Sequence, residues 1–240
     1  MIDMAAHGNP DIVTDGLIFH VDSADKNCYG GSGATVNDLS PSGLTSTFTN
    51  PSYSGSINQG SFHYDGIDKY ITVPAADETN LLNNFSFEVW FNKQGVGSVG
   101  SAYDSIFQKN GGISGYPVYG IRAASEANPA NLSMYFAYSG NSGDTSSAII
   151  KSNGITINEW ICCTVTVSSD NNAKGYYQGE LEQTLSLNGD LKDANDTCLI
   201  GIGDGRRWNG YIPIVKIYNK ELSASEVRQN FNVMKSRFGL

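Results

Sequence analysis

The chain has 240 residues, 27 of them glycine and 13 tyrosine, with only 16% charged residues and a net charge of 15 − 24 = −9. That length is enough for one β domain with a proper core, and no composition shift or Pro/Ser-rich linker divides it. The acidic balance argues against nucleic acid as the main partner, because phosphate binding needs a basic face. No apolar run is long enough to cross a bilayer as a helix, so membrane insertion is not expected either.

Residues 1–12 are polar, small and patternless, which predicts an arm rather than part of a core. Met1, Ile2, Met4, His7 and Pro10 are its candidate assembly residues, resting on a neighbouring chain or else on their own domain. The segment has neither the basic start nor the apolar stretch of a secretory signal, so synthesis in the cytosol is expected. Ile12-Val13, the turn Asp15-Gly16 and Leu17 to Asp22 predict a first strand entered by a turn. Phe62 to Val73 predicts strand, tight turn at Asp65-Gly66, strand. Phe85 to Asn92 alternates strictly, with Phe85, Phe87, Val89 and Phe91 on one face and Ser86, Glu88, Trp90 and Asn92 on the other. That pattern predicts a half-buried strand central to a sandwich.

Three further strands are expected over Ser105–Lys109, Pro117–Ile121 and Leu132–Tyr138, with a Ser/Gly loop from Ser139 to Ser147. Trp160 to Val167 and Gly175 to Glu180 complete another strand pair around a turn at Ser169–Lys174. Tyr211 to Tyr218 is β-rich and mostly apolar, a buried closing strand. Ser223 stands three residues before Glu226, the spacing of a capping box, and Val227, Phe231 and Met234 follow at helical intervals. One short C-terminal helix is therefore expected to pack by one side and leave Arg228, Lys235 and Arg237 wet. Asp-Gly or Asn-Gly pairs begin at Asp15, Asp65, Asn110, Asn153, Asn188, Asp204 and Asn209, so hairpins dominate. The fold class is all-β: a two-sheet antiparallel sandwich over 13–222, closed by a helix and tail over 223–240.

Asn209-Gly210-Tyr211 through Tyr218-Asn219-Lys220-Glu221-Leu222-Ser223 resembles the C-terminal signature of the laminin-G-like, concanavalin A-like lectin/glucanase superfamily. The opening Asp15 to Asp22 with Asn37-Asp38-Leu39-Ser40, the segment Tyr64-Asp65-Gly66-Ile67-Asp68 with Tyr70, and the Trp160-led strand are similar to the same family. Val36 stands where relatives often carry Trp, and Gln178-Gly179 where they often carry Asn-Gly. The ending from Glu226 to Leu240 is similar to that of virion proteins of marine tailed phages. The resemblance implies a jelly roll. It also implies a virion structural role, as a capsid decoration, head fibre or tail-associated protein, with other copies of itself, other virion proteins and cell-surface glycan as partners. The protein would then leave the host cytoplasm as part of the virion.

Glycosidases of that family carry a Glu-x-Asp-x-Glu strand, and retaining chemistry needs two carboxyl groups about 5 Å apart. No such triplet occurs here. Glu180 and Glu182 share a strand face but sit beside a turn with no aromatic platform, so they are expected to be solvated charge and the chain not to be an enzyme. His7, His20 and His63 are too scattered to clamp zinc or to activate a nucleophile. Asp190, Asp193 and Asp196 lack the dense oxygen-ligand loop of a calcium site. Laminin-G-like relatives often bind calcium, but no ligand set can be placed on this sequence, so no cofactor is assigned. Cys28, Cys162, Cys163 and Cys198 have no paired metal-ligand spacing and are expected to be reduced and buried. Sugars stack apolar faces on aromatic rings while charged groups and amides bond their hydroxyls. Asp204, Arg206, Arg207, Trp208 and Asn209 gather those groups in one turn and form the candidate carbohydrate-binding set. The alternative is that Trp208 caps the core and both Arg side chains meet the acidic surface.

Overall fold

The computed structural model describes residues 11–97, 103–112, 115–124, 132–140, 143 and 145–240; the candidate arm residues Met1, Ile2, Met4, His7 and Pro10 lie outside them. In chain order the first strands are β1 (Leu17–Asp22), β2 (Thr35–Asn37), β3 (Thr45–Thr49), β4 (Tyr53–Ser54), β5 (Ser61–Asp65) and β6 (Tyr70–Val73). Then come β7 (Phe85–Lys93), β8 (Tyr103–Lys109), β9 (Tyr119–Ala124), β10 (Leu132–Ser139), β11 (Thr145–Ile155) and β12 (Trp160–Val167). The last are β13 (Asn172–Tyr177), β14 (Glu180–Ser186), β15 (Cys198–Ile200), β16 (Ile202–Gly203), β17 (Arg206–Arg207) and β18 (Asn209–Tyr218). An α-helix, α1 (Ala224–Met234), and a short 3₁₀ turn over Lys235–Phe238 follow β18.

The strands stack as two antiparallel sheets in a jelly-roll sandwich. One sheet runs β14-β13-β12-β7-β18-β5-β4, with β1 also paired to β18; the other runs β11-β10-β9-β8-β15-β6-β3-β2. β16 and β17 form a separate small hairpin. Between the sheets lies one apolar core in which Phe85, Phe87, Val89 and Phe91 of β7 meet Phe107, Tyr119, Ile121 and Phe136 of the facing sheet. Rings fill it mostly in tilted contact, such as Phe87 with Tyr119 at 5.6 Å, while Phe85 with Phe87 and Phe136 with Tyr138 lie closer to parallel.

The outer face of β7 departs from expectation. All nine residues of the strand are buried, including Ser86, Glu88, Trp90 and Asn92. The C-terminal segment accounts for this, because Trp90 lies flat against Phe231 of α1 and Phe238 of the following turn, at centroid distances of 5.7 and 4.4 Å. Glu88, deprived of water, ion-pairs with Lys216 of β18 at 2.7 Å and accepts a bond from Trp90 Nε1. The helix itself starts as its spacing predicts. Ser223 Oγ accepts from the Glu226 amide, and the Glu226 carboxylate accepts from the Ser223 amide, a complete capping box. Arg237 is a correction: it is not wet, but donates to both Asp22 carboxylate oxygens and to the carbonyls of Asn58 and Gly60, pinning the tail onto the sandwich. The beginning of the described chain is pinned there too, since Asn230 accepts from the Val13 amide and Gln229 donates to the Asp11 carbonyl.

Gln178 and Gly179 both adopt positive φ, 52° and 77°, between β13 and β14. The tight turn therefore keeps the backbone that Asn-Gly would supply, and a Cβ on Gly179 would press into the Phe231 ring. The expected loop over Ser139–Ser147 is shorter than its composition indicates, because pairing with β10 draws Thr145 onward into the eleven-residue strand β11.

Candidate functional site

The turn Asp204-Gly205 joins β16 to β17, with φ of 50° and 77° at its two residues, and carries the candidate set across three environments. Arg206 and Arg207 are neighbours on one short strand, so their side chains leave on opposite sides. Arg206 turns toward β9. Arg207 instead borders an open depression with Ile67 and Val96. Asn209 donates to the Val96 carbonyl at 3.0 Å and so serves loop structure.

Trp208 is a correction to the candidate set. It is fully buried, with its edge against Phe91 at 5.4 Å and the Lys93 ammonium 4.7 Å above its ring. Lys93 in turn forms a buried ion pair with Asp104. The indole thus closes the end of the core, the alternative that the sequence offered, and no sugar can stack on it in this arrangement. Apolar area outweighs the two preceding arginines here: burying an indole removes up to about 250 Å² from water, whereas a guanidinium on its long flexible stem can swing clear.

Two members of the set do converge, on partners the sequence reading missed. Arg122 stands on β9 between Ile121 and Ala123, which point into the core, so its side chain rises from the outer face of that sheet. There it donates through Nη2 to Asp204 at 2.6 Å and to the Gly115 carbonyl at 3.0 Å. Arg206 approaches the same two acceptors, with Nη1 3.2 Å from the Gly115 oxygen and 3.7 Å from Asp204. Around the two guanidiniums lie Tyr103 and Tyr135, edge to face at 5.0 Å, and Tyr116, whose ring centre is 5.6 Å from the Arg122 guanidinium carbon. With Ser147 these groups line a cleft of about 300 Å³, its mouth included. Burial, then the neighbouring Arg206, pull the Arg122 guanidinium down to about 10, while burial and the nearby Tyr135 and Tyr116 push the Tyr103 phenol up. One signal was present in the sequence: a lone Arg inside the otherwise apolar run Tyr119 to Ala124.

The carboxylates that the sequence singled out elsewhere are each held by another side chain. Glu88 is locked to Lys216, Glu182 pairs with Lys151 at 2.6 Å, and Glu180 pairs with Arg228. Asp190 and Asp193 accept from Asn83 and Asn80. No group of three or more His, Cys, Asp or Glu side chains among the described residues is placed to hold a metal ion. All four cysteines are buried thiols, and burial pushes Cys28 up to about 12 and Cys198 up to about 11.

A sheet sandwich with one face sealed and an aromatic, guanidinium-lined cleft on the other defines a lectin-like binding fold. The sequence matches the concanavalin A-like lectin/glucanases superfamily over residues 65–228, and the chain belongs to that superfamily. Among solved structures it is similar to the binding domain of Paraclostridial Mosquitocidal Protein 1, with a TM-score of 0.68 and 17% identity over 91% of this chain and 52% of that one. It is also similar to the binding domain of botulinum neurotoxin DC in complex with SialylT, with a TM-score of 0.69 and 18% identity over 92% of this chain and 52% of that one. A third similar structure is of botulinum neurotoxin type C, whose cell entry depends on interaction with two ganglioside molecules (TM-score 0.67, 19% identity, 92% of this chain and 52% of that one). The chain spans about half the length of these structures. A search of curated proteins finds no match.

Proposed function

We propose that this chain is a non-enzymatic binding module of a virion, a capsid decoration, head fibre or tail-associated component that touches cell-surface glycan through its lectin-like sandwich. The observation that carries the binding role is the asymmetry of the two outer faces. The helix and tail seal the first sheet over Trp90, whereas the second presents the cleft of Arg122, Arg206 and the three tyrosines. Tyrosine faces and edge hydroxyls beside fixed donors are the mixed surface that a sugar ring needs. Binding domains of toxins with this fold, one of them in complex with SialylT, support the same role. The virion setting is supported by the resemblance of the ending Glu226 to Leu240, and the arm Met1 to Pro10 supplies the assembly contact with other copies or other virion proteins.

Two measurements test the proposal together. The purified protein is applied to a glycan array, and antibodies to it are applied to purified phage particles. Array binding and labelled particles support the whole reading. Array binding with unlabelled particles would instead favour a soluble lectin, the alternative that the cleft alone supports. A blank array, or turnover of any polysaccharide, overturns the binding-module reading.

A further inference from the structure

Among the described residues the cleft holds more positive than negative charge. Arg122 and Arg206 share Asp204 and the Gly115 carbonyl, and Asp204 is the one carboxylate within ion-pair reach of either guanidinium among the described residues. Arg122 is only 3% exposed, so its charge is largely removed from water. Among the described residues, neither its Nε nor that of Arg206 has a hydrogen-bond partner. Bringing two like charges together under such burial is unfavourable unless further negative charge joins them. The lowering of Arg122 by burial and by Arg206 is the same imbalance seen from the proton's side.

We propose, resting on the glycan-binding reading above, that this cleft is the receptor for the carboxylate of an acidic sugar residue. Arg206, whose side chain is 25% exposed at the mouth, supplies the main ion pair, and Arg122 below it supplies the buried positive charge. Tyr103 and Tyr135 face the sugar ring. The cleft is small, its volume of about 300 Å³ including open solvent at the mouth, so it admits one acidic group and the edge of its ring rather than an extended chain. The rest of the molecule reinforces that limit, because a net charge of −9 repels a long polyanion, so attraction is confined to the single residue seated between the guanidiniums. The same field disfavours an acidic peptide, which would bring several carboxylates onto an acidic surface with no aromatic faces to match.

The test is an array of uronic and sialic acid oligosaccharides, each beside its methyl ester, followed by calorimetric titration of the tightest binder. Wild type is expected to bind an acid form and to bind its ester about tenfold or more weakly, the loss of one charge-assisted contact. Arg206→Ala, on the surface hairpin, is expected to lose the same factor with an unchanged thermal melt. Arg122→Gln reaches the buried partner, and its result counts only if its melt matches wild type. Equal binding of acid and ester, or acid binding that survives Arg206→Ala, overturns the proposal while leaving glycan binding intact. Binding confined to neutral glycans does the same. Competition by inorganic sulfate as effective as by the free sugar acid, or Arg206-dependent binding of a polyglutamate peptide with no sugar bound, also overturns it. A blank array overturns both this assignment and the binding-module reading.

Discussion

Lys216 and Glu88 are both fully buried, and each is tolerable only because the other is present. Lys216→Met would leave Glu88 uncompensated beside Trp90, and the expected cost is about 3–5 kcal/mol in urea unfolding. Replacing Glu88 by Met as well should recover most of that loss, since an apolar pair of similar size removes the stranded charge. His20 gives the pH counterpart. Burial, then Lys216, hold its imidazole down at about 3 against an ordinary 6.5, with Asp25 opposing. A base lowered in the folded state stays neutral there while the unfolded chain takes up a proton. Its contribution is thus complete above about pH 6.5 and is lost as pH falls toward 3, with a slope of about 1.4 kcal/mol per pH unit. His20→Gln should flatten that part of the stability–pH curve, and an unchanged slope would remove His20 as its source. Trp208→Ala is expected to cost about 3–5 kcal/mol, because it empties the closed end of the core. A Trp208→Ala protein with wild-type stability would contradict the burial described here. Local sequence could not decide the fate of Trp208, since Arg206, Arg207 and Asn209 around it match an exposed loop equally well. Arg122 was the better clue, a charge placed where an apolar strand should not carry one.

At the scale of elements, periodicity and turn chemistry made much of the sandwich legible. The position and inner face of β7, the capping box of α1 and the closing strand β18 are all found where their spacing places them. Those signals are local. What escaped them depends on residues far along the chain: the outer face of β7 is dry because α1 and the tail fold back over it, and β11 starts early because β10 offers it a ladder. Arg237 escaped for the same reason, its partner Asp22 being more than two hundred residues away. The candidate site was the least legible part, since β8, β9, β10 and the β16–β17 hairpin each contribute one or two groups to it. Phe238→Ala tests the seal. It should cost about 3 kcal/mol, and it should expose Trp90 and shift the tryptophan emission to longer wavelength. Emission that stays at its wild-type position would show that Phe238 does not shield the indole.

For the molecule as a whole, the arm and the sandwich should be separable. Deleting residues 1–10 is expected to leave the thermal melt unchanged while lowering the assembled mass in sedimentation and the copy number on particles. Unchanged assembly after deletion would take the arm out of the proposal. The folded core needs no such partner, because Asp11 and Val13 are already fastened to α1.

The dry packing of Phe238 on Trp90 also sets a direction in space. Leu240 projects into solvent two residues beyond that contact, on the side away from Arg122. A protein biotinylated at position 240 and captured on a sensor chip would therefore stand with its guanidinium face toward the flowing analyte, and coupling through that residue would not screen the cleft.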